Sequence, residues 1–257
     1  TYDYQNNFKN SEINETRIFP LSVLESIGEK SVDIMPWEIS YLFFNKLNYN
    51  PRPIIQTYQA NSDWLANKNE QKYTSITAPD VVLAKLNDYR EQNPFWMDKG
   101  AYISLVKNYT LKDTLKMPEE QFYLFEKNAV SKPIDYTTLS SHSAKLDKSI
   151  AVTSEGPLYL HADIHYSFLG KIARLFFQPP YLRSKVIYED GSEEQFRIPP
   201  PILKGGILAN QRVVNNEEFG RFVQGLKTKK IVSLTFWSKF KWGFESEFDY
   251  HFEKINQ

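Results

Sequence analysis

Between residues 22 and 128, short apolar runs alternate with segments whose apolar positions recur every three or four. That alternation constrains the fold of half the chain, because buried strands separated by amphipathic helices build an α/β layer with a largely parallel sheet. Residues 31–35 read as a buried strand, and Pro36 follows where a first helical turn tolerates its missing N–H. Apolar residues at 37, 39, 42, 43, 44 and 47 predict a helix over 37–47. Residues 54–58 form the next expected strand. Ser62 is an N-cap for a helix reaching about Tyr73. Strands at 81–86 and 121–126 enclose a helix over 100–109.

The pattern changes after residue 128. Residues 131–149 are polar and aperiodic and read as a linker. Beyond them the chain turns β-rich. The Asp190-Gly191 pair predicts a tight hairpin between 186–188 and 195–198. Residues 231–237 and 244–252 read as a second strand pair, and Asn215 with Glu218 as the start of one short helix. The expected class is therefore α/β followed by mainly β: a Rossmann-like α/β layer domain over 1–130, a linker over 131–149, and an antiparallel β-sandwich with a helical insert over 150–257.

The charges limit the partners. Lysine plus arginine and aspartate plus glutamate number 31 each, so the net charge is zero. General nucleic-acid binding needs a basic face to displace counterions, and this balance argues against nucleic acid as a partner. The absence of cysteine removes disulfides, thiolate metal sites and a cysteine nucleophile. No apolar run approaches the roughly 20 residues of a membrane span. The chain begins Thr1-Tyr2-Asp3 without an initiator methionine, which reads as a piece of something longer.

Arg52 stands between Pro51 and Pro53, and the prolines hold both preceding residues extended. The guanidinium is then either a fork for a carboxylate or phosphate ligand, or half of an ion pair with Asp33 or Glu38 that fixes the layer. The structural role is the expected one. Asp33, Gln56 and Tyr58 fall at or near expected strand carboxyl ends, where open α/β sheets tend to bind ligands. Asp33 and Glu38 could also serve as a glycosidase-like acid and base, although nothing in the sequence fixes their separation.

His161, Asp163 and His165 share one face if residues 159–165 form a strand, and two imidazoles with a carboxylate are legitimate metal ligands. Successive same-face residues stand about 7 Å apart, so a solvated polar face is the expected reading. No cofactor is expected. The chain carries no Gly-x-Ser-x-Gly elbow, phosphate-binding loop or dinucleotide fingerprint. The five tryptophans could stack on sugar rings, but Trp37 and Trp64 on helical faces read as core.

Residues 32–38 (VDIMPWE) and 48–58 (NYNPRPIIQTY) resemble a pattern in large polytopic bacterial membrane proteins, where it lies in a soluble region following many transmembrane helices. The similarity continues through Leu65, Asn69, Ala78-Pro79, Asp88 and Arg90. It extends to Gly170-Lys171, Leu175-Phe176-Phe177, Pro179-Pro180, Asp190-Gly191, Phe196-Arg197 and Gly206. The sequence departs from the pattern at Gln59-Ala60-Asn61 and at Tyr89. The resemblance implies an extracytoplasmic domain whose partner is the membrane-embedded remainder of the same polypeptide, with a glycosyltransferase-like context. It adds Asn69 and Arg90 to the ligand-binding candidates Asp33, Glu38, Arg52, Gln56 and Tyr58. The expected function is a non-catalytic or accessory module for an envelope glycan, a lipid-linked intermediate or a partner protein. A carbohydrate hydrolase is the alternative.

Overall fold

The computed structural model describes residues 16–87, 89–131, 133–153 and 156–256; Asp88 of the family-like pattern lies outside them. Among the described residues helix makes up 29% and strand 35%, arranged in three sheets none of which closes into a barrel, so the class is mixed α/β.

The first sheet contains β1 (Ser31–Met35), β2 (Asn48–Tyr49), β3 (Val81–Ala84), β4 (Tyr109–Lys116) and β5 (Gln121–Lys127), in the order β2-β1-β3-β5-β4. β1 runs parallel to β2 and β3, whereas β5 is antiparallel to β3 and β4. The sheet is therefore mixed rather than largely parallel. The connection between β4 and β5 is a short turn closed by Met117 N–H to the Glu120 carbonyl at 2.7 Å, and a turn that short permits only antiparallel strands.

Side-chain alternation places both faces of this sheet in apolar surroundings. Val32, Ile34, Val81, Leu83, Phe122 and Leu124 point into one cluster, completed by helices α1 (Leu21–Ile27) and α2 (Ile39–Phe44). Val82, Ala84, Tyr123 and Phe125 point the other way, toward a larger cluster. There lie α3 (Asp63–Thr74), α4 (Pro94–Met97) and α5 (Lys99–Asn108), contributing Tyr73, Phe95, Tyr102 and Leu105. Ser62 caps α3 as expected, its Oγ accepting from Leu65 N–H at 3.3 Å. α2 is shorter than the expected 37–47 segment, and Pro36 precedes it rather than occupying its first turn.

Residues 54–58 are not a strand. A loop leads into a 3-10 turn over Thr57–Gln59. The backbone groups that a sheet ladder would use are taken by other partners. Ile54 N–H donates to Asn69 Oδ1 at 2.9 Å, the Ile55 carbonyl accepts from Arg52 at 2.7 Å, and Thr57 N–H donates to the Pro36 carbonyl at 3.2 Å. With its groups satisfied locally, the segment has no need of a neighbouring strand.

The second half builds two antiparallel four-stranded sheets. One has the order β11-β8-β13-β6, from β11 (Ile207–Leu208), β8 (Leu158–Asp163), β13 (Glu247–Ile255) and β6 (Tyr136–Lys145). The other has the order β10-β9-β12-β7, from β10 (Glu193–Ile198), β9 (Leu182–Tyr188), β12 (Ile231–Trp237) and β7 (Ser149–Ala151). The β9–β10 hairpin forms as expected, with Gly191 at φ 80° in its turn.

Two expectations fail here. Residues 136–145, read as linker, form β6, which pairs with β13. β6 is exposed almost throughout, so no hydrophobic alternation marks it; its ladder with β13 holds it, together with cross-strand contacts such as Ser143 Oγ to Asp249 Oδ1 at 2.6 Å and Lys145 to Glu247 at 2.8 Å. β12 and β13 do not pair with each other but lie in different sheets. Helices α6 (Phe168–Phe176) and α7 (Pro200–Gly205) were not anticipated. α8 (Asn216–Val223) starts where expected, with Asn215 Oδ1 accepting from Glu218 N–H at 2.9 Å.

Both antiparallel sheets and the first sheet feed one apolar cluster. Phe219 of α8 lies against Tyr102, Tyr123, Phe95 and Phe125, with centroids 5.3–6.5 Å apart. Gly220 lets the helix come this close, because a Cβ there would overlap the Tyr123 hydroxyl.

Candidate functional site

The guanidinium of Arg52 is enclosed, with 1% of the residue exposed. Its Nη1 donates to Asp33 Oδ2 at 3.1 Å and to the Ile34 carbonyl at 2.8 Å. Its Nη2 reaches the carbonyls of Pro36 at 2.5 Å and Ile55 at 2.7 Å. Asp33, equally buried, also accepts from the Tyr73 hydroxyl at 2.7 Å. Burial alone would lower the pKa of Arg52, but Asp33, Tyr73 and Asp98 more than reverse this, and the net shift is upward. Burial and the Asp33 carboxylate both push the Tyr73 hydroxyl well above its ordinary range. The Pro-Arg-Pro segment thus fastens the loop after β2 onto the carboxyl end of β1. Arg52 and Asp33 face no solvent, so neither can receive a soluble ligand or act as an acid or base on one.

Asn69 belongs to the same buried network. It holds both backbone groups of Ile54 and donates to Asp98 Oδ2 at 2.7 Å. Burial raises the Asp98 carboxyl to about 7, against the opposing effects of Arg52, 3.9 Å away, and of the Asn69 amide. Between the unfolded value near 4 and about 7, the folded chain keeps a proton that the unfolded chain releases. Stability therefore falls as pH rises through that window. Asp98→Asn should flatten this slope, read as thermal melts from pH 4.5 to 8; an unchanged slope would contradict the assignment.

The other candidates gather at the surface beyond the carboxyl ends of β1 and β3. Trp37 and Glu38 follow β1, Asn87, Tyr89 and Arg90 follow β3, and Gln56 and Tyr58 come from the loop that Arg52 fastens. Tyr58 and Tyr89 stack with centroids 4.4 Å apart and planes at 14°, and Trp37 meets both edge-on at 5.5 and 6.0 Å. All three rings are partly exposed. Polar groups border them. The Tyr58 hydroxyl donates to Gln56 Oε1 at 2.8 Å, and Asn87 Nδ2 to Glu38 Oε1 at 3.3 Å. Glu38 pairs with Lys85 at 3.4 Å, and Lys85 with Glu120 at 2.6 Å, so Glu38 is not the partner of Arg52.

The turn that presents Tyr89 is unusual. Arg90 and Glu91 both have positive φ, 46° and 62°, in a turn closed by Gln92 N–H to the Tyr89 carbonyl at 2.9 Å. Asparagine and glycine normally fill such positions, so this turn stores strain, a feature that concentrates where a site must be shaped. Glu91 anchors it, its carbonyl accepting from Arg197 N–H at 2.8 Å and its carboxylate from Arg183 at 2.5 Å. The sequence pattern marked Gln56, Tyr58 and Glu38. It missed Tyr89, and it read Trp37 as core although the helix starts two residues later and leaves that ring at the rim.

The candidate triad His161, Asp163 and His165 does not converge: Asp163 and His165 lie on the exposed polar face that was expected, and His161 is largely buried. Asp163 pairs with Lys204 at 2.9 Å and with His165 at 3.6 Å, whereas His161 turns to β13. Its cross-strand partner is His251, with the rings parallel at 4.8 Å, and Glu253 lies 2.9 Å from His161 Nε2 and 3.3 Å from His251 Nε2. These three groups could hold an ion, since their ligand atoms all fall within 4.8 Å of one another. A cation is already at hand, however. The buried Lys99 ammonium bonds to the Gly205 carbonyl at 2.9 Å, and it experiences the fields of Glu70, Glu253 and Asp63. Elemental analysis of the purified protein should find no stoichiometric metal; one ion per chain, lost in His161→Ala, would contradict this.

No family model matches the chain, and no curated protein matches it. Among solved structures it is similar to one described as "Structural and functional characterization of Pseudomonas aeruginosa AlgX", at 12% identity and a TM-score of 0.27. The alignment covers 90% of this chain and 50% of that one, so the chain spans about half its length. A likeness at that score carries no argument about fold or function.

Proposed function

We propose that this chain is a non-catalytic, glycan-binding accessory region of a bacterial integral membrane protein, on the extracytoplasmic side. In this reading a Rossmann-like α/β layer carries the site and a β-sandwich supports it. The observation that carries the proposal is the partly exposed Trp37–Tyr58–Tyr89 cluster with Glu38, Gln56 and Asn87 at its border. A pyranose ring has an apolar C–H face that stacks on aromatic rings and equatorial hydroxyls that need acceptors and donors beside it. The placement beyond strand carboxyl ends is where open α/β sheets tend to bind ligands. Membrane attachment rests on the resemblance of residues 32–58 to soluble regions of polytopic membrane proteins. Among the described residues, no helix is long and apolar enough to cross a membrane, so the anchor would lie elsewhere in the polypeptide.

The hydrolase alternative required Asp33 as one of two carboxylates, and Asp33 is sealed against Arg52. A panel of envelope-glycan fragments should raise the melting temperature without being turned over. Hydrolysis of any member that is lost in Glu38→Gln would replace this reading with an enzyme.

A further inference from the structure

Helix α6 presents its apolar side to solvent. Phe168, Leu169, Ile172, Leu175 and Phe176 occupy one arc of roughly 120° at 3.6 residues per turn, and all five are exposed, Phe168 by 76% and Leu175 by 78%. Phe177 continues the patch at 77% exposure, and Trp242 joins it at 52% from the turn Lys241–Gly243. The helix is held by its other side. Ser167 caps it by accepting from Gly170 N–H at 3.1 Å, and Ser167 N–H donates to the Gly243 carbonyl at 3.1 Å. Gly170 is required there, because a Cβ would overlap the Gly243 carbonyl oxygen. The outward face is thus fixed by the fold and does not come from a loosely attached helix. Monomeric proteins rarely expose a continuous patch of large apolar residues without a partner for it.

The charges around the patch identify that partner. Residues 164–181 and 236–244 contain Lys171, Arg174, Lys239 and Lys241 and no aspartate or glutamate. Lys241 is paired with Asp147 at 2.7 Å, which leaves Lys171, Arg174 and Lys239 as the net positive charge beside the patch. Lys171, Arg174 and Lys239 are exposed. An amphipathic helix of aromatic and leucine residues, bordered by lysine and arginine with a tryptophan at its edge, has the composition of helices lying in the headgroup region of a bilayer. At nine residues it is far too short to span the roughly 20-residue apolar core. From this geometry we infer that α6 and the 241–243 turn form an interfacial membrane-docking surface that inserts into an anionic phospholipid leaflet. Docking here would hold the body of the protein against the bilayer. The inference shares the envelope placement with the proposed function but does not use the glycan site.

Co-flotation with vesicles tests it directly. The wild-type chain should float with vesicles containing one third phosphatidylglycerol, bind pure phosphatidylcholine at least several-fold more weakly, and lose binding as salt is raised. Leu175→Glu/Phe176→Glu should reduce binding more than tenfold. It should keep the wild-type circular dichroism and glycan response, because both side chains point away from the protein. Failure to float with anionic vesicles, or equal flotation of the variant, would overturn the inference. So would a concentration-dependent dimer abolished by the same variant, which would assign the patch to a second copy. A variant that loses flotation yet binds glycan separates this surface from the proposed function; loss of glycan binding in Trp37→Ala with flotation intact separates them the other way.

Discussion

Arg52→Ala should lower the melting temperature by on the order of 10 °C, the largest effect of any single substitution outside the apolar core. The change strands the Asp33 carboxylate and leaves the carbonyls of Ile34, Pro36 and Ile55 without the donor they share. Removing one partner of a buried ion pair costs about 3–5 kcal/mol, because the other charge keeps its desolvation penalty and loses its compensation. For a chain of this length each kcal/mol is worth about 2–4 °C. Asp33→Asn should be less damaging. Its amide oxygen can still accept from Tyr73 and Arg52, and the guanidinium retains its carbonyl acceptors. Thermal melts of both variants check the order. An Arg52→Ala protein that melts with the wild type would mean that the segment after β2 is held by something other than this arginine.

The second large effect concerns binding and should leave folding nearly intact. Tyr89→Ala removes the ring stacked on Tyr58 and one of the two edges that position Trp37. If a glycan ring lies on this cluster, the substitution should weaken binding at least tenfold, since desolvated aromatic anchors carry most of the energy of such contacts. Tyr89 is partly exposed, so the stability cost should stay near 1 kcal/mol. Arg52→Ala and Tyr89→Ala thus separate the two roles that one stretch of sequence combines: the arginine fixes the loop, and the loop presents Gln56 and Tyr58. Arg52→Ala should show first as lost stability, whereas Tyr89→Ala should lose binding with its melting temperature nearly unchanged.

Much of this was legible in the residues. The α3 start at Ser62, the buried strands β1, β3 and β5, the Asp190-Gly191 hairpin and the α8 cap at Asn215 all follow from local chemistry, and all are present. The pairing of Arg52 with Asp33 was among the two partners anticipated. What escaped detection depends on contacts between distant segments or on the lack of burial. β6 has no apolar alternation to mark it and is held by its ladder and polar side-chain contacts with β13. Residues 54–58 have strand-like composition, but Arg52 and Asn69 occupy the backbone groups a ladder would need. His161 was grouped with residues two and four positions along, whereas its neighbours His251 and Glu253 come from a strand some 90 residues away whose register only the fold supplies. Asp98 gave no signal, because its burial results from the packing of α3 against α5. Helix α6 was missed although its apolar residues recur at helical spacing, and such a stripe does not by itself reveal whether the protein or its surroundings will cover it.

Calorimetric titration of envelope-glycan fragments into the wild-type chain and into Trp37→Ala/Tyr89→Ala tests the central claim most directly. The account predicts saturable binding of at least one fragment by the wild type, without turnover. It also predicts a more than tenfold weaker affinity in the variant, while the variant melts within a few degrees of the wild type. A panel that yields no binding, or binding that the double variant retains in full, would contradict it.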